Sequence, residues 1–227
     1  MVRDGVFFPT RKVADLEARI FRTLTKNLKH SGFRQLSVPS TITRDTIDRQ
    51  GVVPWENIIH VGHHHGLAGS AEQGILEMFQ GQRVGQGKPE LRLFADNQCF
   101  RNEEAYVGLM YLREFRKLEQ FVFCGRGNWE ENFQLVLWMA EGLLNQFKVE
   151  HRVVDVTKRD RGYHILKKDI EVLTTTYGWL ETHSCTYFGE EQTRRFGITG
   201  LTHTISNTGV ASPRILVPLL ERAGIPF

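Results

Sequence analysis

Two long extended stretches in the middle of the chain, residues 90–101 and 109–124, limit what it can fold into more than any other feature. Their side chains mostly alternate between polar and apolar, as on strands with one buried face. They are expected to form long antiparallel strands joined by a connection around Glu104–Gly108. Further strands are expected at 33–39, 151–156, 169–175, 179–187 and 198–205. Helices bracket this central group. Val13, Leu16, Ile20, Leu24 and Leu28 recur at three- and four-residue steps, which predicts a helix over 11–31 stopped by Gly32. A second helix is expected to begin at Ser70, with Gln73 at the capping-box position. A third is expected from Asn128 to about Phe147, and a last one from about Gly209 to Ala223. Strands clustered between helices predict an α+β fold with a mainly antiparallel sheet. No linker or internal repeat divides the chain, so residues 1–227 are expected to be one domain.

Composition and absent motifs narrow the function. With 41% hydrophobic and 24% charged residues, the chain has the ordinary balance of a globular protein and not that of a disordered one. No apolar run approaches the roughly 20 residues of a membrane helix, and the first residues do not read as a secretion signal. Cys99, Cys124 and Cys185 are odd in number and far apart, which points to a reducing compartment and away from a structural zinc site. A cytoplasmic protein is expected. An excess of three positive charges permits a polyanionic partner without demanding one. Residues 81–88 are glycine-rich, but Pro89 stands where a P-loop needs Ser or Thr. His63, His64 and His65 are adjacent in a glycine-flanked loop and read as solvated, not as a metal site. No Gly-x-Ser-x-Gly elbow offers a serine nucleophile.

The chemistry-bearing residues gather on the two long strands. Arg101 and Glu103 share one parity, and Phe115, Lys117, Glu119, Phe121 and Phe123 share a face on the partner strand. On spacing alone, a solvated sheet face with surface ion pairs is the better account.

The order of motifs along the chain adds to this. Phe100-Arg-Asn-Glu103, followed by Arg113-Glu-Phe115 and Glu119-Gln-Phe121, resembles motif 2 of the class II aminoacyl-tRNA synthetases. Gly32-Phe-Arg-Gln-Leu-Ser-Val-Pro39 after a long helix resembles motif 1, and the segment His203–Glu221, containing Arg214, resembles motif 3. Three further stretches are most similar to seryl-tRNA synthetases: Leu67-Ala-Gly-Ser-Ala-Glu72, Asp169-Ile-Glu-Val172, and Glu181-Thr-His-Ser-Cys-Thr186 followed by Gln192-Thr-Arg-Arg195. The resemblance implies ATP-dependent activation of an amino acid to an aminoacyl-adenylate. Arg101 would then bridge the α-phosphate and the substrate carboxylate, and Arg214 would hold the γ-phosphate end. Asn102, Glu103, Leu112 and Phe115 would complete the ATP site, with Glu103 on the adenine amino group and Phe115 against the ring. Glu181 and Ser184 would hold Mg2+. Ser70, Ala71, Glu72, Glu119, Ser206 and Thr208, with Arg101, would line the amino-acid pocket.

The substrate implied is a small amino acid, serine first, with glycine or alanine next. Ser206 replaces the family's asparagine, Asn207 a small residue and Pro213 a glycine. Pro218 is expected to kink or shorten the last helix. The connection after Glu103 is shorter than the family's, Tyr111 replaces an arginine, and the family's N-terminal tRNA-binding arm is not present in these residues. A non-tRNA acceptor, a carrier protein or a small molecule, is the expectation. A trimmed seryl-tRNA synthetase and a non-catalytic regulatory paralogue are the alternatives. Motif 1 in this family builds a dimer interface, so a homodimer through residues 11–39 is expected.

Overall fold

The computed structural model describes residues 1–102, 106–157 and 163–227. Its helices are α1 (Arg11–His30), α2 (Arg44–Gln50), α3 (Ala71–Phe79), α4 (Trp129–Gln146), α5 (Glu191–Arg195) and α6 (Val217–Arg222). Its strands are β1 (Val2–Arg3), β2 (Val6–Phe7), β3 (Arg34–Leu36), β4 (Thr41–Thr43), β5 (His60–Val61), β6 (His65–Leu67) and β7 (Arg83–Val84), then β8 (Glu90–Phe100) and β9 (Glu114–Cys124). They continue with β10 (His151–Asp155), β11 (Leu166–Thr174), β12 (Gly178–Gly189), β13 (Thr199–Gly200) and β14 (His203–Ser212).

A seven-stranded sheet in the order β10-β11-β12-β14-β9-β8-β3 organises the molecule. All its neighbours pair antiparallel except the edge pair β3 and β8. The α+β reading is therefore borne out. One face carries Phe94, Leu118, Val122, Ile205 and Val210, buried against Ile20, Leu24 and Leu28 of α1 and Phe133, Val136 and Ala140 of α4. The helices form there because each presents apolar residues at three- and four-residue steps, and the sheet completes the burial that neither layer achieves alone. On the opposite face, α3 covers only one part of the sheet, packing Ala71, Ile75 and Leu76 against Leu93, Phe121 and Phe123. The uncovered part of that face is the floor of a cleft.

Several boundaries differ from the sequence reading. The connection between β8 and β9 runs from Arg101 to Arg113 instead of Glu104–Gly108, because Arg113 donates its amide to Gly5 of the β1–β2 hairpin and Val107 and Tyr111 close a bridge of their own. The segment expected to begin a helix at Gly209 stays in β14 as far as Ser212. Gly209 sits in a bulge between Thr208 and Val210, where a Cβ would lie 2.9 Å from Leu24 and 3.2 Å from Leu118. A short 3-10 turn, Arg214–Leu216, then leads into α6. Pro218 falls in the first turn of α6, where no backbone donor is needed, so it neither kinks nor ends the helix. The helix α2 was not read from the sequence: seven residues are too few for a periodic signal, although Thr43 caps it and Gly51 ends it in the left-handed conformation at φ 63°. Gln73 does not close a capping box; its side-chain oxygen accepts from Gly69 instead, while Ser70 caps α3 by accepting from the Glu72 amide.

Candidate active site

Strand register assembles the cleft floor. Asp169 of β11 pairs with Ser184 of β12, and Thr208 of β14 pairs with Glu119 of β9. Extending the β12–β14 register by one residue sets Ser184 beside Thr208, so one row of side chains crosses four strands. The next row is Lys167, Thr186, Ser206 and Phe121. Polar groups occupy β11, β12 and β14, and the row turns apolar where it passes under α3. A bulge in β12 between the pairs His183–Ile170 and Glu181–Glu171 changes the parity of that strand. It turns both Glu181 and Ser184 toward the cleft, although a three-residue separation on a regular strand would send them to opposite faces.

The resulting cavity of about 610 Å³ is of a size suited to a small ligand. It brings together Arg101, Asn102, Leu112, Phe115, Glu181, Ser184 and Arg214 with Ser70, Glu72, Glu119, Ser206 and Thr208. Two expected residues are not among them. Ala71, as the first residue of α3, turns inward and is buried with Val38, Ile75 and Leu93, so it does not line the pocket. Glu103 lies outside the described residues.

The two arginines occupy one end. The Arg101 guanidinium sits 5.3 Å from the centre of the Phe115 ring, within cation–π range. Arg214 donates from Nη1 to the Glu181 carbonyl at 3.0 Å and from Nη2 to the Met110 carbonyl at 2.9 Å. Backbone carbonyls thus help to orient its planar fork. Nearby, burial and the neighbouring Asp169 push the Glu181 carboxyl up, while Arg214, Lys167 and Arg101 pull it down. Asp169 is itself buried, and its Oδ1 has no hydrogen-bond partner among the described residues.

At the other end, Glu119 is buried and fully engaged. Lys117 Nζ lies 2.7 Å from its Oε1, and Ser70 Oγ donates to its Oε2 at 2.5 Å. Glu72 is buried beside it. Desolvation raises its pKa first and the Glu119 charge second, against hydrogen bonds from Ser206 and Gln50. Tyr163 also reaches this cleft, and burial pushes its phenol up.

Sequence reasoning missed Gln50, Tyr163, Lys167 and Thr186 as cleft residues. Lys117 was visible through its shared parity with Phe115 and Glu119. The row Lys167–Thr186–Ser206 depends on pairing register, which single strands do not reveal.

Glu181, Ser184 and the orphaned oxygen of Asp169 form a set of hard oxygen donors suited to Mg2+, which takes few protein ligands when phosphates and water complete its octahedron. No group of three or more His, Cys, Asp or Glu side chains arranged for a metal occurs among the described residues.

Known proteins share this chain's sequence pattern and its fold. The family model described as tRNA synthetase class II core domain (G, H, P, S and T) matches residues 58–217. A serine–tRNA ligase of Deinococcus radiodurans is 35% identical over 227 residues, covering 91% of this chain and 53% of that protein. Among solved structures, seryl-tRNA synthetase from Pyrococcus horikoshii complexed with ATP superposes with a TM-score of 0.88 at 22% identity, over 96% of this chain and 53% of that one. Cytoplasmic serine–tRNA ligase from Naegleria fowleri in complex with AMP gives 0.86 at 19% identity, over 98% and 51%. At these identities the structural likeness speaks for the fold. The chain spans about half the length of the curated relatives it matches.

Proposed function

Because the chain belongs to the class II tRNA synthetase core family, we propose that it is an AMP-forming amino-acid ligase, acting as one catalytic domain on a small amino acid and ATP. The observation that carries the reading is the division of one cleft into an end with two arginines and an end with buried acids. Two anions, a carboxylate and a triphosphate, must meet at one end, and an ammonium group must be accepted at the other.

In this reading the substrate carboxylate oxygen attacks the α-phosphorus, a new O–P bond forms, and the bond to pyrophosphate breaks. The nucleophile is already ionised, so no general base is required; the protein supplies positioning and charge. Arg101 binds the carboxylate and the α-phosphate together and keeps them in line. Arg214, pre-oriented by its two carbonyl contacts, takes the γ-phosphate end. Phe115, Leu112 and Asn102 hold the nucleotide, with Glu103 at the adenine amino group. Glu181 and Ser184, backed by Asp169, are the residues that would hold Mg2+, which when bound neutralises phosphate charge. Ser70, Glu119, Ser206 and Thr208 form a small polar pocket that fits serine first, then glycine or alanine.

The short connection after Glu103 favours a carrier-protein thiol or a small molecule as acceptor, whereas the relatives' names favour tRNA. Incubating the charged enzyme with each acceptor and following the labelled acyl group separates the two. The outer edge of β3 beside α1, unpaired among the described residues, supports a homodimer through residues 11–39; a scattering mass of one chain at micromolar concentration would exclude it.

The test of activation is ATP–pyrophosphate exchange across the twenty standard amino acids. Exchange with serine, glycine or alanine, lost in Arg101→Ala with folding intact, is the expected result. Full exchange in Arg101→Ala would show the site to be misplaced.

A further inference from the structure

Gln50 lies outside the three motifs and outside the matched segment, on the last turn of the short helix α2. Its amide is nevertheless wired into the amino-acid end of the cleft. Gly69 N–H donates to Gln73 Oε1 at 2.9 Å, and Gln73 Nε2 donates to Gln50 Oε1 at 3.0 Å. Gln50 Nε2 then donates to Glu72 Oε1 at 2.7 Å. From the other side, Thr204 Oγ1 donates to Gln192 Oε1 at 2.7 Å, and Gln192 Nε2 donates to the same Glu72 oxygen at 2.8 Å. Both chains of donors run toward Glu72. All four side chains, Gln50, Gln73, Glu72 and Gln192, are buried.

Direction matters here. Were Gln50 to turn its amide over, its carbonyl oxygen would face the Glu72 carboxylate and its amino group would face that of Gln73, two repulsive contacts in a dry site. One orientation of Gln50 therefore satisfies both neighbours. The helix end that bears it is also fixed: Arg195 of α5 donates to the carbonyls of Arg49 at 3.2 Å and Gln50 at 3.4 Å. Gly51 leaves room for that guanidinium, since a Cβ there would lie 2.5 Å from Arg195 Nη1.

We propose that Gln50 is a positioning residue for the amino-acid pocket. Through Gln73 it holds the Gly69 amide, and directly it holds the Glu72 carboxylate, so the segment Gly69–Glu72 is clamped from α2 as it is clamped from β9 by Glu119, which accepts from Ser70 Oγ and from the Glu72 amide. The inference rests on the activation reading above. Its consequence is selective: the network touches the amino-acid end and none of the residues assigned to ATP.

The experiment is steady-state ATP–pyrophosphate exchange with serine as probe, in native protein, Gln50→Leu, Gln73→Leu and the double variant, with melting temperatures. Gln50→Leu is expected to raise the KM for the amino acid at least tenfold while kcat and the KM for ATP stay within about twofold. Because Gln50 and Gln73 act in series, the double variant should be little worse than Gln50→Leu alone. Should Gln50→Leu fail to fold, Gln50→Glu has nearly the same shape but sets an acceptor against Glu72, and it should show the same split. An unchanged KM for the amino acid, or a parallel loss in both substrates' parameters with a lowered melting temperature, would overturn the positioning role alone. No exchange in native protein with any amino acid would overturn the activation reading, and the inference with it.

Discussion

The two ends of the cleft are built in opposite ways. The arginine end is open: Arg101 is exposed, Arg214 is half-buried, and both are steered by a ring face or by main-chain carbonyls. The acid end is closed: Glu72 and Glu119 are buried, and their oxygens are taken up by Ser70, Lys117, Gln50 and Gln192. Charge near the surface keeps part of its hydration whatever groups it meets. Charge that must recognise one small ammonium group is discriminating only where water is excluded, and there every polar atom has to be paired. Substitution at the open end should therefore cost less stability than substitution at the closed end, and both should cost activity.

The largest effect that would break this contrast lies at the closed end. Glu119→Ala leaves the half-buried Lys117 without its counter-charge and Ser70 without its acceptor. It should lower unfolding stability by about 3–5 kcal/mol in denaturant titration and abolish exchange. A variant as stable as the native chain would mean that this end is not the closed network described. Next comes Arg214→Ala, which should cut exchange about 10²- to 10³-fold, comparable with loss of one preorganised donor, and, because two carbonyls lose their donor, lower the denaturation midpoint by less than Glu119→Ala does. A drop in midpoint matching that of Glu119→Ala would erase the difference between the ends.

The smallest effect concerns what lies behind the open end. His183 is fully buried beneath the β12 bulge, its Nδ1 2.8 Å from Thr182 Oγ1, and desolvation pushes its pKa down from 6.5 to about 4. The folded state thus prefers the neutral ring. Stability from this preference is complete above pH 6.5 and is lost as pH falls toward 4, by about 3 kcal/mol over the window. Glu72 and Glu181, whose pKa values are raised, act in the opposite sense, so the readout is the difference between native protein and His183→Leu across pH 7 to 4. Parallel stability curves would show that His183 carries no such preference.

Much of this was legible in the sequence, and what was not has identifiable physical causes. The helix over α1, the strands on either side of the β8–β9 connection and the helix from Asn128 follow from periodicity, which burial on one face imposes directly. Arg101, Arg214, Glu119 and Ser70 were reached through the resemblance, and the structure does bring them into one cavity. Ala71 was not separable from its neighbours by sequence, because the first turn of α3 decides which of Ser70, Ala71 and Glu72 faces the sheet. The bulge at Gly209 hid the end of β14, since one extra residue reverses the alternation on which strand reading depends. Gln50 was invisible because α2 is too short to show a period and its partner Glu72 lies 22 residues away.

The central claim is that this cleft joins a carboxylate to the α-phosphate of ATP. Serine carrying a heavy-oxygen label in its carboxyl group, incubated with the protein, ATP and hydroxylamine as trap, tests it directly. Attack by the carboxylate leaves one labelled oxygen on AMP when hydroxylamine takes the acyl group, so mass spectrometry should find AMP one labelled oxygen heavier together with seryl hydroxamate, and neither with Arg101→Ala. Unlabelled AMP, or AMP released equally without any amino acid, would contradict the account.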